Sequence, residues 1–187
     1  MSVSPENPAG DVVVLVGNPA AGSRTGAVAR AVATGLVADR PAAPVVPVII
    51  ELADLGSALC SPEDGRVARA RDVVRQARVL VVATPVYKAG YTGVLKLFLD
   101  GLEPTALAST VTVPVVLTAS SAHGVMADLQ LRLVLQAVGA HLPVPSFVLE
   151  EHRLDRLPDS VDAWQQRHGR AVSAVASAVR LEEVGVR

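Results

Sequence analysis

The sequence predicts an α/β fold, a doubly wound, five-stranded parallel sheet with helices on both faces. Short β-branched runs alternate five times with segments of helical period, joined by short connections. The runs VVVLV and VLVVA contain no polar residue, as strands covered on both faces require. Half of the 187 residues are hydrophobic but only 3% are aromatic, so the core is built of Val, Leu, Ile and Ala and suffices for one domain.

Residues 1–10 read as a flexible tail and 11–187 as a single domain without linker or internal repeat. Residues 12–16 form the first strand, closed by Gly17 and Asn18. After the loop GNPAAGSRTG, an Ala-rich helix to about Arg40 carries Val28, Val32 and Leu36 at helical spacing. Residues 44–50 make the second strand, and Pro47 assigns it an edge or irregular position. Residues 51–65 read as a short turn of helix followed by loop. Residues 66–77 place Val67, Ala70, Val73, Val74 and Ala77 on one side of a surface helix and arginines on the other. Residues 79–83 are the third strand and the central one. A helix over 91–101 and a strand over 111–117 follow. The helix over 125–138 carries apolar side chains on more than one face, so either several layers or another subunit cover it. A fifth strand falls within 142–149. A last helix, about 160–183, strings Val161, Trp164, His168, Val172, Val175 and Val179 along one stripe.

Charge and composition exclude several classes. Seventeen basic residues against eighteen acidic ones give a formal charge of -1, with no general attraction to nucleic acid or an anionic membrane. The single cysteine, Cys60, forms no intrachain disulfide or CxxC pair, which fits a reducing, cytoplasmic setting. No long uninterrupted apolar run suggests a membrane span, and the N-terminal MSVSPENPAGD has no signal-peptide pattern. The histidines at 123, 141, 152 and 168 lack metal-site spacing, so no metal is expected.

In a doubly wound sheet, ligands bind beyond the carboxyl ends of the strands where strand order reverses. That places three loops at the site: 17–25, 84–92 and 118–124. In the first, Gly17 and Gly22 permit tight turns, Ser23 and Thr25 offer hydroxyls, and Arg24 adds a fixed cation at a helix start. These suit a phosphate. The plainer alternative is that Ser23 or Thr25 only caps a helix, with Arg24 at the surface. The loop is neither a Walker A sequence, because Ser23 stands where Lys is needed, nor a GxGxxG fingerprint.

The second loop, TPVYKAGYTGVLKLFLD, concentrates rare residues. It holds both tyrosines, Tyr87 and Tyr91, and both lysines, Lys88 and Lys96, after Pro85. A wall of tyrosine, proline and valine with backbone donors suits a flat, conjugated ring such as a flavin, although a tyrosine there also serves as a helix-start staple. No nucleophile paired with a base and no paired carboxylates stand out, so no catalytic acid or base is expected.

The segment ATPVYKAGYTGVLKLFLDGL resembles the NADPH-dependent FMN reductases, flavodoxin-like flavin reductases that serve sulfonate-using and related two-component monooxygenases. GNPAAGSRTG resembles that family's flavin phosphate loop, and the order of elements continues the resemblance to about Glu150. The resemblance implies FMN at the three loops, with NADPH or NADH as hydride donor and the nicotinamide stacked on the flavin. It implies Asn18, Ser23, Arg24 and Thr25 around the phosphate, and Pro85, Val86, Tyr87 and Lys88 along the ribityl chain and ring. It also implies a homodimer or homotetramer and a flavin-dependent monooxygenase downstream. The third loop departs from the family pattern. TASSAHG places Ser120 and Ser121 where relatives have a Gly-Gly pair, with His123 following as a helix-start residue or a flavin-edge contact. Asn18 replaces a usual Ser, and Ala20 a position that is often Arg. Serine side chains there restrict the backbone's approach to the ring, which favours exchangeable flavin. The competing expectations are a quinone or azo-compound reductase with tightly held FMN, a flavodoxin-type electron carrier, and a noncatalytic binding protein of the same fold.

Overall fold

The computed structural model describes residues 11–38, 46–61 and 63–185. The expected tail at 1–10 lies outside them. Five parallel strands, β1 (Val12–Val16), β2 (Val48–Glu51), β3 (Val79–Pro85), β4 (Val111–Thr118) and β5 (Phe147–Glu150), pair in the order β2-β1-β3-β4-β5. This is the flavodoxin-like order, which reverses direction between β1 and β3. Pairing Val16 with Ala83 and Pro85 with Leu117 brings the carboxyl ends of β1, β3 and β4 side by side.

Each strand alternates its side chains between two apolar layers. On one face, Val12, Val14 and Val16 with Val79, Val81 and Ala83 pack beneath α1 (Arg24–Ala38) and α6 (Leu157–Gly185). On the other, Val13, Leu15, Leu80 and Val82 pack beneath α3 (Gly65–Arg75), α4 (Gly93–Leu99) and α5 (Ser121–Ala137). Every side chain of β1, β3 and β4 is buried, the threonines Thr84, Thr112 and Thr118 included, as strands covered on both faces require. The four-residue α2 (Leu52–Leu55) and a 3-10 turn at Gly56–Cys60 account for the segment with weak periodicity.

Several boundaries move for local reasons. Strand β2 begins at Val48, just after Pro47, and is an edge strand; residues 44 and 45 of the expected span lie outside the described residues. Strand β5 begins only after Pro143 and Pro145. Helix α4 is shorter than its apolar run because Thr92 caps it, accepting from the Leu95 N–H. Helix α5 starts four residues early, at Ser121. Gly124 allows this, since a Cβ there would stand 2.9 Å from Cγ2 of Thr118. A 3-10 turn, Glu151–Arg156, leads into α6, which starts at Leu157 with Pro158 in its first turn. Phe147 meets Trp164 edge to face at 6.2 Å, and His168 lies against Trp164 at 5.3 Å, a packed histidine on the α6 stripe. No described helix is long and apolar enough to cross a membrane.

Candidate functional site

The first loop leaves β1 at Gly17, whose N–H donates to the Ala83 carbonyl at 2.7 Å. A methyl group at Gly17 would stand 2.7 Å from Cβ of Leu95, so only glycine lets β1 end this close to α4. Asn18 is buried: its Oδ1 accepts from the Ala20 N–H at 2.9 Å, and its Nδ2 donates to Oγ1 of buried Thr25 at 3.2 Å. Asn18 and Thr25 therefore shape the loop from inside. Gly22 turns the chain at φ 64°. Ser23 caps α1 by accepting from the Gly26 N–H at 3.2 Å, so the capping alternative holds for Ser23. The other N–H groups of the first helical turn point outward beyond the strand ends, as helix geometry dictates. Arg24 is exposed and pairs with Glu151 at 3.0 Å.

Two buried threonines organise the second loop, and one of them ties it to the first. Thr84 donates to the Pro85 carbonyl at 2.8 Å and accepts from the Thr92 N–H at 3.2 Å. The Thr92 hydroxyl donates to the Gly17 carbonyl. Val86 N–H continues the sheet pattern by donating to Leu117 O at 3.0 Å. Tyr87 and Gly90 then close a two-residue turn through reciprocal backbone bonds of 3.0 and 3.1 Å. Its central residues, Lys88 at φ 53° and Ala89 at φ 62°, are both left-handed, the geometry of a type I′ turn usually built from Asn and Gly. Each non-glycine residue held there costs on the order of 1 kcal/mol. From α5, Gln130 reaches the Ala89 carbonyl at 3.5 Å. Tyr87 is half exposed at the rim, whereas Tyr91 is partly buried, and that burial pushes its phenol pKa upward.

The third loop is shorter than expected. Thr118 donates to the Ser120 carbonyl at 2.7 Å and accepts from the Ser120 N–H at 3.2 Å, which turns the chain straight into α5. Ser120 is the N-cap residue in extended conformation, and its hydroxyl makes no capping bond. Ser121 and His123 stand exposed on the first turn of α5 rather than in a loop.

Ser23, Arg24, Pro85, Val86, Tyr87, Lys88, Ser120, Ser121 and His123 thus all lie at the carboxyl ends of β1, β3 and β4, around the starts of α1 and α5. Sequence reasoning missed Thr84, Thr92, Gln130 and Glu151. Thr92 had a readable signal, a hydroxyl residue directly before a helical run. Glu151 had none, because it meets Arg24 only through the tertiary fold. Among the described residues, no group of three His, Cys, Asp or Glu side chains is placed to hold a metal. A cavity of about 280 Å³ between β5 and α6, lined in part by Phe147, Trp164, Arg167 and His168, lies away from these loops.

The arrangement suits a phosphate-bearing planar cofactor. The open helix start and Arg24 supply anion donors, Gly22 leaves open space where a Cβ would stand, and the backbone turn with Tyr87 forms an adjacent wall. Fold and loops together define a flavodoxin-like α/β protein whose ligand edge fits a flavin mononucleotide.

Residues 11–155 match the family model described as NADPH-dependent FMN reductase, and the chain belongs to that family of oxidoreductases. It is 30% identical over 130 residues to FMN reductase (NADPH) of Pseudomonas putida, covering 61% of this chain and 66% of that protein. It is 34% identical over 154 residues to the NADH-dependent FMN reductase SfnE of Pseudomonas putida, covering 78% and 80%. Among solved structures, apo NADH:FMN oxidoreductase EMOB superposes with a TM-score of 0.69 at 30% identity, covering 83% of this chain and 88% of that one.

Proposed function

We propose that this protein is an NAD(P)H-dependent FMN reductase that passes hydride from the nicotinamide to FMN and releases reduced FMN to a partner monooxygenase. The observation that carries the reading is the juxtaposition of an open α1 start bearing Arg24 with the Tyr87–Gly90 turn, in a chain of this family. The FMN phosphate would rest on the first turn of α1, against Ser23 and Arg24, with Asn18 and Thr25 holding the loop from beneath. The ring would lie along Pro85, Val86, Tyr87 and Lys88, and Ser120, Ser121 and His123 would border its far edge. When bound, FMN supplies the hydride-accepting ring. The chain's own work is to orient the ring and to present backbone donors to it; proton transfer by a side chain is not required.

An assembly accompanies this reading. Val125, Met126, Leu129 and Leu133 form an outward stripe on α5, with Leu129 60% and Leu133 59% exposed. The stripe runs from the third loop past Gln130, which touches the Tyr87–Gly90 turn. Pairing this face with a second copy, as a homodimer or within a homotetramer, would bury the stripe beside the site mouth.

The test is anaerobic oxidation of NADPH and of NADH by purified protein, with and without FMN. Oxidation that requires added FMN, saturates with it and accumulates free reduced flavin supports the reading. A stoichiometric flavin retained through dialysis, together with preference for a quinone over free FMN, replaces it with a quinone reductase.

A further inference from the structure

We infer that Glu151 is a specificity-determining residue that lowers affinity for the flavin phosphate by holding Arg24, and so keeps FMN exchangeable. The inference rests on the phosphate-loop reading above and extends it to a residue outside all three loops.

Arg24 stands at the start of α1 and is the only cation of the first loop. Helix α1 lies across β1, β3 and β4, and this path carries Arg24 toward the end of β5. There the guanidinium meets the Glu151 carboxylate at 3.0 Å, with side chains 65% and 36% exposed. Glu151 is the first residue of the 3-10 turn after β5, and Glu150 beside it pairs with His152 instead, at 3.6 Å. The next cation along α1, Arg30, is committed to Glu51 at 2.9 Å. Both arginines on this side of the loop are thus neutralised by carboxylates. Along the first loop and α1, the positive character not paired with a carboxylate is that of the α1 N-terminus, a partial charge.

Two effects of Glu151 act in the same direction. A phosphate must compete with a carboxylate already seated on Arg24, so only the fraction of molecules with Arg24 free binds at full strength. The carboxylate also repels an incoming phosphate dianion at close range. Because the pair is solvent-exposed, the combined effect is modest, about two- to fivefold in affinity. Riboflavin has no phosphate and is indifferent to both effects.

The experiment measures FMN and riboflavin dissociation constants by quenching of flavin fluorescence, together with flavin release rates by stopped flow. Wild type, Glu151→Gln, Glu150→Gln, Arg24→Ala and the Arg24→Ala/Glu151→Gln double variant are compared, each first shown to melt as a folded protein. Glu151→Gln is expected to tighten FMN about two- to fivefold and slow its release correspondingly, with riboflavin unchanged. Arg24→Ala is expected to weaken FMN selectively, by about tenfold, and to remove most of the effect of Glu151→Gln. If Arg24→Ala acts selectively on FMN while Glu151→Gln leaves FMN unchanged or weaker, the role of Glu151 is overturned and the phosphate loop stands. If Glu150→Gln tightens FMN as much as Glu151→Gln, general charge rather than the Arg24 pair is responsible, which also overturns it. If Arg24→Ala affects FMN and riboflavin equally, the phosphate-loop assignment itself falls and takes this inference with it.

Discussion

Replacing Gly17 with alanine tests whether the first two loops are joined as closely as the structure shows. The new Cβ would stand 2.7 Å from Cβ of Leu95 and 3.1 Å from the Ala83 carbonyl oxygen. Carbon atoms pack best at about 3.5–4.0 Å, so α4 and the end of β1 must part by roughly 1 Å. Leu95 is fully buried in the first turn of α4, and Ala83 belongs to the central strand, so neither neighbour swings aside. Overpacking of this kind costs about 1–3 kcal/mol. The alanine recovers about 0.4–1 kcal/mol through the unfolded chain, so the middle of each range leaves a net loss of roughly 1.3 kcal/mol. For a chain of this length that lowers the melting temperature by about 3–5 °C. The same displacement stretches the Thr92–Gly17 and Gly17–Ala83 bonds, so FMN affinity is expected to fall as well. The reference is Gly22→Ala, which also meets a backbone penalty, at φ 64°, but whose Cβ finds nothing within 4 Å. Its net cost is about 0.5–1 kcal/mol. Thermal and urea unfolding of both variants, followed by FMN titration, decide the matter. A Gly17→Ala protein as stable as Gly22→Ala would refute the close approach of β1 and α4.

Four further outcomes are expected. Ala89→Gly relieves one left-handed residue of the turn at Tyr87 and is expected to leave stability unchanged or raise it by up to ~1 kcal/mol, whereas Ala89→Val is expected to lower it, both read by urea unfolding. Thr92→Ala removes the α4 cap and the tie to Gly17 at a cost of about 1–2 kcal/mol, and Thr92→Ser restores most of it; equal melting of the two variants would show that the hydroxyl is not the cause. Leu129→Arg with Leu133→Arg is expected to give a monodisperse monomer by light scattering where wild type gives a dimer or tetramer, and a monomeric wild type would remove the assembly proposal. Hydrogen bonds from Arg66 hold the Asp64 carboxyl below its ordinary pKa of 3.8. Its contribution is therefore complete above pH 3.8 and lost as pH falls through the folded-state value, so wild type and Asp64→Asn should differ at neutral pH and converge in acid.

The sheet was legible because its strands are extreme. Runs such as VLVVA admit no half-exposed alternative, and Pro47 pointed correctly to an edge. The boundaries of α4 and α5 were less legible, for opposite reasons. Tyr91 before α4 and Asp100 and Gly101 after it read as part of the helix, whereas the Thr92 cap set its start and the helix ends at Leu99. The start of α5 was hidden by Ser120, Ser121 and Gly124, which read as loop residues in isolation. In the fold, Gly124 allows the helix to begin against Thr118. The positions of the ligand loops followed from topology alone, but what holds them together did not. Thr84 acts through buried bonds to the backbone of its own loop and Thr92 through one to Gly17 in the first loop, and no periodicity announces such a partner. The Arg24–Glu151 pair is illegible for the same reason: the two residues meet only because α1 crosses three strands.

These contacts divide the site into two mechanical parts. Beneath the ligand edge, Gly17, Asn18, Thr25, Thr84, Thr92 and Thr118 are buried, and their side chains or backbone bond one loop to itself or to the next. A reaction that needs donor and acceptor rings held in close register depends on such a base, because small misplacements of the reacting atoms are costly. Above it, the groups proposed to face a ligand are exposed and lightly held: Tyr87 on a strained two-residue turn, Arg24 in a solvent-accessible pair, Ser121 and His123 on an open helix start. In the proposed reading, competition from Glu151 at Arg24 subtracts from ligand affinity without loosening the base beneath. On the proposed function, such a site would orient FMN while it is bound and still let it leave, as an enzyme that treats FMN as a substrate requires.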